Sequence, residues 1–139
     1  MTPPVITFEH VAKSFGNLMV HRDISFSIFP GEVVTLLGPS GTGKTVVLKL
    51  IIGLLKPDSG AITVCGTRIN GLSETELGEI RTNIGMLFQG AALFDSLSVR
   101  ENVAYSLREH GETSEERISE IVAERLHVVG LPGIEHKFP

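Results

Sequence analysis

The 139-residue sequence predicts an α/β fold in which strands dominate the first half and helices the second. In ISFSIF at 24–29, apolar residues alternate with serines, which is typical of a strand with one buried face. A nearly continuous apolar segment, EVVTLLG at 32–38, indicates a strand buried on both faces, and a glycine-rich loop follows it. Three Ser/Thr-x-x-Glu patterns in the second half indicate helix starts.

Composition excludes several classes of protein. The formal net charge is -4 and no polybasic block is present, so the sequence predicts no nucleic-acid partner and no basic membrane anchor. The N-terminus lacks the basic and apolar regions of a signal peptide, and Lys49 interrupts the most apolar stretch, which is too short to span a bilayer. We therefore expect a cytoplasmic chain without direct membrane insertion. The single cysteine, Cys65, is predicted to be a buried, unreactive thiol.

Periodicity and turn signals define the other elements. Further strands are predicted at 5–15, 61–66 and, as a buried strand, 83–89, with a short strand or turn at 67–71. An apolar helix is predicted over 44–55, ending at the turn KPDSG.

The capping patterns place three more helices. Ser73 with Glu76 predicts a helix over 74–81, and Ser98 with Glu101 predicts one over 99–109. Thr113 with Glu116 predicts a last helix over 114–129. The expected inward stripe of that helix is Ile118, Ile121, Val122, Arg125, Leu126 and Val129.

The strongest functional signal is GPSGTGKT at 38–45, which fits the pattern G-x-x-x-x-G-K-[ST]. Its three glycines allow a tightly curled backbone with inward-pointing amides, because only glycine adopts positive φ freely. Those amides and the following helix N-terminus form a phosphate site. Lys44 is expected at the β- and γ-phosphates and the Thr45 hydroxyl on Mg²⁺. The predicted binding residues are Gly38, Pro39, Ser40, Gly41, Thr42, Gly43, Lys44, Thr45 and Val46.

From about residue 5 to its end, the sequence resembles the ATP-binding subunit of ABC transporters. The motifs that carry the resemblance are GPSGTGKT, GLLKPDSGAITVCGTRI, NIGMLFQ and LSVRENVAYSLR. The resemblance implies a P-loop NTPase fold of the ABC ATPase type that is incomplete. It would contain part of a RecA-like core, an antiparallel β subdomain and the start of a helical subdomain. ATP and Mg²⁺ are the implied cofactors.

The resemblance also assigns roles to residues outside the loop. Phe15 lies where the family places an aromatic ring, more often tyrosine, that stacks on adenine. Gln89 would contact Mg²⁺ and the attacking water, so Lys44 and Gln89 are the implied catalytic residues. The segment 90–103 would receive a helix of the membrane-spanning permease subunit. A second ATP-binding subunit would complete a homodimer, held in the cytoplasm against the inner (plasma) membrane through the permease.

The segment QGAALFDSLSVRENVAYSLRE at 89–109 indicates which group of ABC ATPases the sequence resembles most. It has Asp95-Ser96 where many sugar- and amino-acid-transporter ATPases have Pro-His. It is most similar to the Mce/Mla-type ATPases, which are linked to phospholipid trafficking and toluene tolerance. The resemblance therefore implies lipid-related transport.

Several parts of a complete ABC ATPase have no match in the sequence, namely a Walker B Asp followed by a catalytic Glu, an LSGGQ-like signature and a switch histidine. In AALFD, Asp95 is followed by serine instead of Glu. The final GLPGIEHKFP resembles the run before the signature. We therefore expect the N-terminal part of a nucleotide-binding domain, with a β subdomain and P-loop core at 1–89 and a helical arm at 90–139.

Three functions stay open at this level. The first is part of a transporter ATPase whose parent hydrolyses MgATP as a dimer to drive a permease. The second is part of a soluble ABC ATPase without a membrane partner, and the third is a non-catalytic nucleotide-binding module. Because phosphoryl transfer needs several positioned parts, the chain alone is expected to bind nucleotide rather than hydrolyse it. An exposed apolar strand edge is also expected to promote self-association.

Overall fold

A four-stranded antiparallel sheet with strand order β2-β1-β3-β4 organises the first half of the molecule. The computed structural model describes residues 2–90 and 92–139. These residues divide into two compact units between Gly85 and Met86. The strands of the first unit are β1 (Ile6–Phe15), β2 (Leu18–Ile28), β3 (Ser59–Val64) and β4 (Thr67–Arg68). Its helices are α1 (Lys44–Ile51) and α2 (Glu74–Arg81), and the second unit contains α3 (Val99–Glu109) and α4 (Glu115–Val128).

The hairpin of β1 and β2 confirms the strand predicted at 24–29 and extends it toward the N-terminus. Phe8 pairs with Phe26, and their stacked rings have centroids 4.6 Å apart. Because side chains alternate across a strand, Ile24, Phe26 and Ile28 are partly buried and the two serines between them are exposed. β1 also pairs with β3, so β1 lies between β2 and β3 in the sheet.

Two strands predicted from apolar runs are not formed. Residues 32–39 and 84–88 have no regular secondary structure, and Val33, Leu37 and Leu87 are 94%, 89% and 88% exposed. A strand is stable only when neighbouring strands take up its amide and carbonyl groups. Among residues 2–90 and 92–139, no strand pairs with either segment. The apolar pattern therefore predicted these strands wrongly.

The predicted helix starts are confirmed for α2 and α3. Ser73 and Glu76 form a complete capping box at α2, and the Ser98 hydroxyl accepts from the Glu101 amide at α3. The start of α4 differs by one residue, because Ser114, and not Thr113, accepts from the Arg117 amide at 3.2 Å. Ser114 is extended, as an N-cap must be. The first helix, α1, ends at Ile51, which is earlier than predicted.

Each unit has its own apolar core. In the first unit the fully buried side chains include Phe8, Val11, Leu50, Ile62 and Val64. In the second unit the core cluster is Ala104, Ile118, Val122 and Leu126. The predicted inward stripe of the last helix is thus correct for these three residues of α4, whereas Arg125 and Val129 of the stripe are exposed. Cys65 is exposed because it lies in the turn between β3 and β4, with φ 49°, so its predicted burial is wrong.

Candidate nucleotide-binding site

The glycine-rich loop leads directly into α1 and leaves the positive end of that helix open. Gly43 is the N-cap residue, with φ 88° and ψ 12°, and it has no side chain to bond the first amides. The first turn of α1 contains no acidic residue. The first amides of a helix lack partners within the helix, and together they carry a partial positive charge. This arrangement favours an anion such as a phosphate group.

Lys44 lies folded over the loop. Its Nζ donates to the carbonyl oxygens of Gly38 and Pro39 at 2.8 and 2.7 Å. The Thr42 hydroxyl donates to the same Pro39 oxygen at 2.9 Å, which closes the loop. Both acceptors of the ammonium group are neutral carbonyl groups, so these bonds leave its positive charge uncompensated. A phosphate oxygen that replaces a carbonyl would gain a charge-assisted hydrogen bond.

The loop requires glycine at different positions for different structural reasons. Gly41 and Gly43 have positive φ, at 83° and 88°, as the motif predicts. Gly38 does not, so the prediction of positive φ is wrong at this position. Instead, a Cβ at Gly38 would lie 2.9 Å from the Thr42 hydroxyl oxygen, so a side chain would press on the hydrogen bond that closes the loop.

The remaining loop residues have environments compatible with their predicted roles. Pro39, Ser40 and Thr42 are exposed, and Val46 is partly buried. Thr45 is the second residue of α1 and is also exposed, so its hydroxyl is open to solvent. An apolar cleft of about 470 Å³ borders the loop; it is lined by His21, Ile24, Leu36, Leu37, Gly38, Pro39, Thr42, Lys44 and Val47.

His21 is a site residue that the sequence did not indicate. Its Nε2 lies 3.1 Å from the carbonyl oxygen of Gly43. Because a carbonyl oxygen can only accept, the imidazole donates this hydrogen bond. The contact joins β2 to the loop across 22 residues of sequence. No local pattern identifies such a long-range contact.

Phe15 is the last residue of β1, and the residue is 44% exposed. The strand register brings it into the same hairpin that contacts the loop. Lys13 pairs with His21, and His21 contacts Gly43. Phe15 is two residues further along β1, about 7 Å at the usual rise of a strand. The predicted base-stacking ring thus lies on the same hairpin that contacts the phosphate loop.

Gln89 belongs to the second unit, where it is exposed in a turn. Its contact with Mg²⁺ and the attacking water stays a prediction. Within the predicted docking segment 90–103, Ala91 lies outside the described residues. Leu93 and Phe94 of this segment are about half exposed, at 52% and 47%.

The residues present fit a nucleoside triphosphate with Mg²⁺. The loop offers amide donors, an uncompensated ammonium group and an exposed hydroxyl. In the part of the chain that the structure describes, no group of three or more His, Cys, Asp or Glu side chains could hold a metal ion. Mg²⁺ often binds through phosphate oxygens and one or two protein ligands, which suits Thr45. The helices of residues 2–90 and 92–139 include none with the length and apolar character needed to cross a bilayer.

A loop of this kind at a helix N-terminus defines the class of P-loop nucleotide-binding proteins. The sequence profile of the family described as "ABC transporter" matches residues 21–139. The chain therefore belongs to the ABC transporter family, and the resemblance drawn from its motifs is confirmed.

Two curated relatives show how much of such proteins the chain covers. It is 50% identical over 134 residues to the probable ribonucleotide transport ATP-binding protein mkl of Mycobacterium leprae. It is 48% identical over 136 residues to the chloroplastic protein trigalactosyldiacylglycerol 3 of Arabidopsis thaliana. These alignments include 96% and 97% of this chain but only 39% of either relative. The chain thus spans about two-fifths of the length of these relatives.

A solved structure confirms the fold class. The ATP-binding cassette MJ0796, as a post-hydrolysis dimer bound to ADP and Pi, superposes with a TM-score of 0.86 at 30% sequence identity. The match includes 96% of this chain and 61% of that chain. The fold is thus that of part of an ABC ATPase, although residues 32–38 do not form a strand.

Proposed function

We propose that this chain supplies the nucleotide-binding loop of an energy-coupling, ATP-binding subunit of an ABC transporter. The observation that carries the proposal is the position of Lys44, whose ammonium group bonds neutral loop carbonyls beside the uncapped start of α1. With MgATP bound, Lys44 and the loop amides would hold the phosphates and Thr45 would ligate Mg²⁺. Phe15 would stack on the adenine, since it lies on the hairpin that contacts the loop.

Hydrolysis is assigned to the complete subunit. Transfer of the γ-phosphoryl group needs a metal, a water molecule and compensating charges that are all in position. In the proposal, Gln89 orients the attacking water within a homodimer of complete subunits. In the proposal, residues 1–89 are the β subdomain and P-loop core and residues 90–139 are the helical arm, whereas the two compact units divide four residues earlier, after Gly85. The chain by itself binds ATP and does not turn it over.

An apolar groove in the second unit is the observation that favours a permease as the partner. It has a volume of about 370 Å³, and its lining includes Leu93, Val99, Asn102 and Val103 from the docking segment. Asn102 fixes the loop before α3, because its side chain bonds both the amide and the carbonyl of Phe94, at 2.8 and 3.1 Å. An apolar groove suits an amphipathic helix. We assign it to a cytoplasmic helix of the membrane-spanning subunit, which would hold the protein at the inner membrane.

The transported substrate in this proposal is a lipid. The support is the similarity of residues 89–109 to phospholipid-trafficking ATPases, together with a relative named after a glycolipid, trigalactosyldiacylglycerol. Another relative carries ribonucleotide transport in its name, so nucleotides are the competing substrate class. Transport assays with the complete transporter and radiolabelled phospholipid or ribonucleotide would decide between the two.

Nucleotide binding is tested by calorimetric titration with MgATP of the wild type, Lys44→Ala and Lys49→Ala. Lys49 is the matched control, because it lies in the last turn of the same helix. Loss of a charged hydrogen-bond donor should weaken binding roughly 10- to 100-fold in Lys44→Ala. Lys49→Ala should bind as the wild type does. Equal affinity of all three proteins contradicts the proposal, and phosphate release above the Lys44→Ala background contradicts the absence of turnover.

Partner docking is tested by co-purification with a candidate membrane-spanning permease subunit expressed in the same cells. Leu93→Asp places a charge in the groove, whereas the control Val128→Asp places one at a residue of α4 that is 73% exposed and outside the groove lining. We expect the first variant to lose the permease and the second to retain it. Retention by both variants argues against this groove, and failure of the wild type to co-purify favours a soluble ABC ATPase.

A further inference from the structure

We infer that Lys13 and Asp58 position the Phe15 ring for base stacking and thereby make the site selective for nucleotides over inorganic polyphosphate. The inference rests on the proposed function. It adds two positioning residues to a site in which the sequence indicated only the ring itself.

Lys13 contacts the ring directly. Its Nζ lies 5.3 Å from the centroid of the Phe15 ring, within the range of a cation–π interaction. The side chain of Lys13 is only 14% exposed, which is unusual for a lysine. Its Nζ also donates to Asp58 Oδ1 at 2.9 Å, so the ammonium group is held in place from both sides.

Asp58 attaches this lysine to the backbone of β1. Its other carboxylate oxygen accepts from the amide of Ser14 at 2.6 Å, and its own amide donates to the carbonyl of Ala12 at 2.9 Å. The carboxylate bonds hold its pKa below the usual range, first of all through Lys13 and then through the Ser14 amide. Asp58 thus contacts the three consecutive residues 12–14 immediately before Phe15, from a turn that precedes β3.

The consequence for the ring is a loss of freedom. A side chain at a strand end normally samples several rotamers, and ordering it on binding reduces affinity. The ammonium group over one face favours a single ring orientation, while 44% of the residue stays exposed for a base. The phosphates bind at the loop and not at the ring. Removing the ammonium group should therefore weaken binding of a nucleotide and leave binding of a bare polyphosphate unchanged.

The test compares MgATP with magnesium tripolyphosphate, which carries the phosphates without a base. Calorimetric titrations of the wild type, Lys13→Met, Phe15→Leu and the double variant form a complete cycle. Methionine keeps the apolar stem of lysine and removes its charge. We expect Lys13→Met to weaken ATP binding about two- to fivefold, without changing tripolyphosphate binding. In the Phe15→Leu background the same change should have no effect on either ligand.

Two further variants keep the test decisive. Lys13→Arg retains the cation and should bind ATP as the wild type does. Asp58→Asn should reproduce the loss in ATP binding, and it replaces Lys13→Met if that variant does not fold. An equal loss for both ligands, or a Lys13 effect that persists without the Phe15 ring, overturns the inference. Binding of neither ligand by the wild type contradicts the proposed function itself.

Discussion

The imidazole of His21 lies 3.1 Å from the carbonyl oxygen of Gly43, the residue that caps α1. A Cβ atom at Gly43 would approach Val20 Cγ1 to 2.4 Å and His21 Nε2 to 2.6 Å. The hairpin therefore packs against the loop at Gly43, the residue immediately before the first amides of α1. The loop depends on glycine here for its close approach as well as for its positive φ.

Two alanine substitutions separate the cost of a positive φ from the cost of the close approach. Gly41 and Gly43 have nearly equal φ, 83° and 88°, but nothing lies within 4 Å of a Cβ at Gly41. Gly41→Ala should therefore cost only the backbone strain, about 1–2 kcal/mol. Gly43→Ala should cost clearly more and also weaken MgATP binding, because the hairpin must move. Urea denaturation and ATP titration measure both effects.

A double variant supplies the control for the steric argument. In His21→Ala, part of the space required by an alanine at position 43 becomes available. The further cost of Gly43→Ala should thus be smaller in this background than in the wild type. Equal costs for Gly41→Ala and Gly43→Ala would contradict the proposed contact between the hairpin and the loop.

The sequence predicted the parts of the site that are local and missed those that depend on distant partners. The loop at 38–45 and the start of α1 follow from neighbouring residues, and so do the caps of α2 and α3. His21 reaches the loop only through the pairing of β1 with β2. The apolar runs at 32–38 and 83–89 have strand character, but pairing partners decide whether a strand forms.

The N-cap of α4 offers a second prediction, because two adjacent hydroxyl residues compete for the role. The Glu112 carboxylate accepts from the Ser114 amide at 2.9 Å, and the Ser114 hydroxyl accepts from the Arg117 amide at 3.2 Å. Ser114→Ala should lower the free energy of unfolding by about 1 kcal/mol. Thr113→Ala, an exposed neighbour outside the helix, should leave it nearly unchanged. The reverse order in urea denaturation would restore Thr113 as the cap.

Four charged side chains form an ion-pair network between α3 and α4, and we expect this network to make the second unit sensitive to acid. Arg100 donates to Glu101 and Glu115 at 2.9 and 2.7 Å, and Arg108 bonds the same two carboxylates. The guanidinium groups lower the pKa of Glu101, chiefly through Arg108, and of Glu115, chiefly through Arg100. A carboxylate with a depressed folded pKa stabilises the fold above its unfolded pKa, and this contribution is lost as pH falls through the folded pKa.

The expected result is a loss of stability that begins as the pH falls below the ordinary glutamate value of 4.5. Thermal unfolding of the wild type and of Glu101→Gln, followed between pH 7 and pH 3, measures it; we expect the two curves to converge at low pH. High salt should reduce the difference, because these side chains are partly exposed. Glu124→Gln, an exposed residue of α4, should leave the pH profile unchanged. Parallel curves for wild type and Glu101→Gln would show that the network contributes no acid sensitivity.

Arg81 caps the C-terminal end of α1, the helix that follows the glycine-rich loop. Its Nε donates to the carbonyl of Ile52 at 2.8 Å and its Nη2 to that of Gly53 at 3.3 Å, just beyond the last residue of α1. A cation at a helix C-terminus satisfies unpaired carbonyls and opposes the negative end of the helix dipole. Arg81→Met should therefore destabilise the first unit by about 1.5–3 kcal/mol, since charged hydrogen bonds are lost.

The ion pair of Arg81 with Glu74 provides the comparison, because it uses the remaining nitrogen, Nη1, at 3.0 Å. Glu74 is 78% exposed, so Glu74→Gln should cost no more than about 1 kcal/mol. The affinity for MgATP should be the same in both folded variants, because the loop lies at the other end of α1. Equal destabilisation by the two changes would show that Arg81 stabilises the fold through its ion pair with Glu74 and not through its bonds to the helix-end carbonyls. A loss of ATP affinity in Arg81→Met would show that closure of the helix C-terminus is transmitted to the phosphate loop.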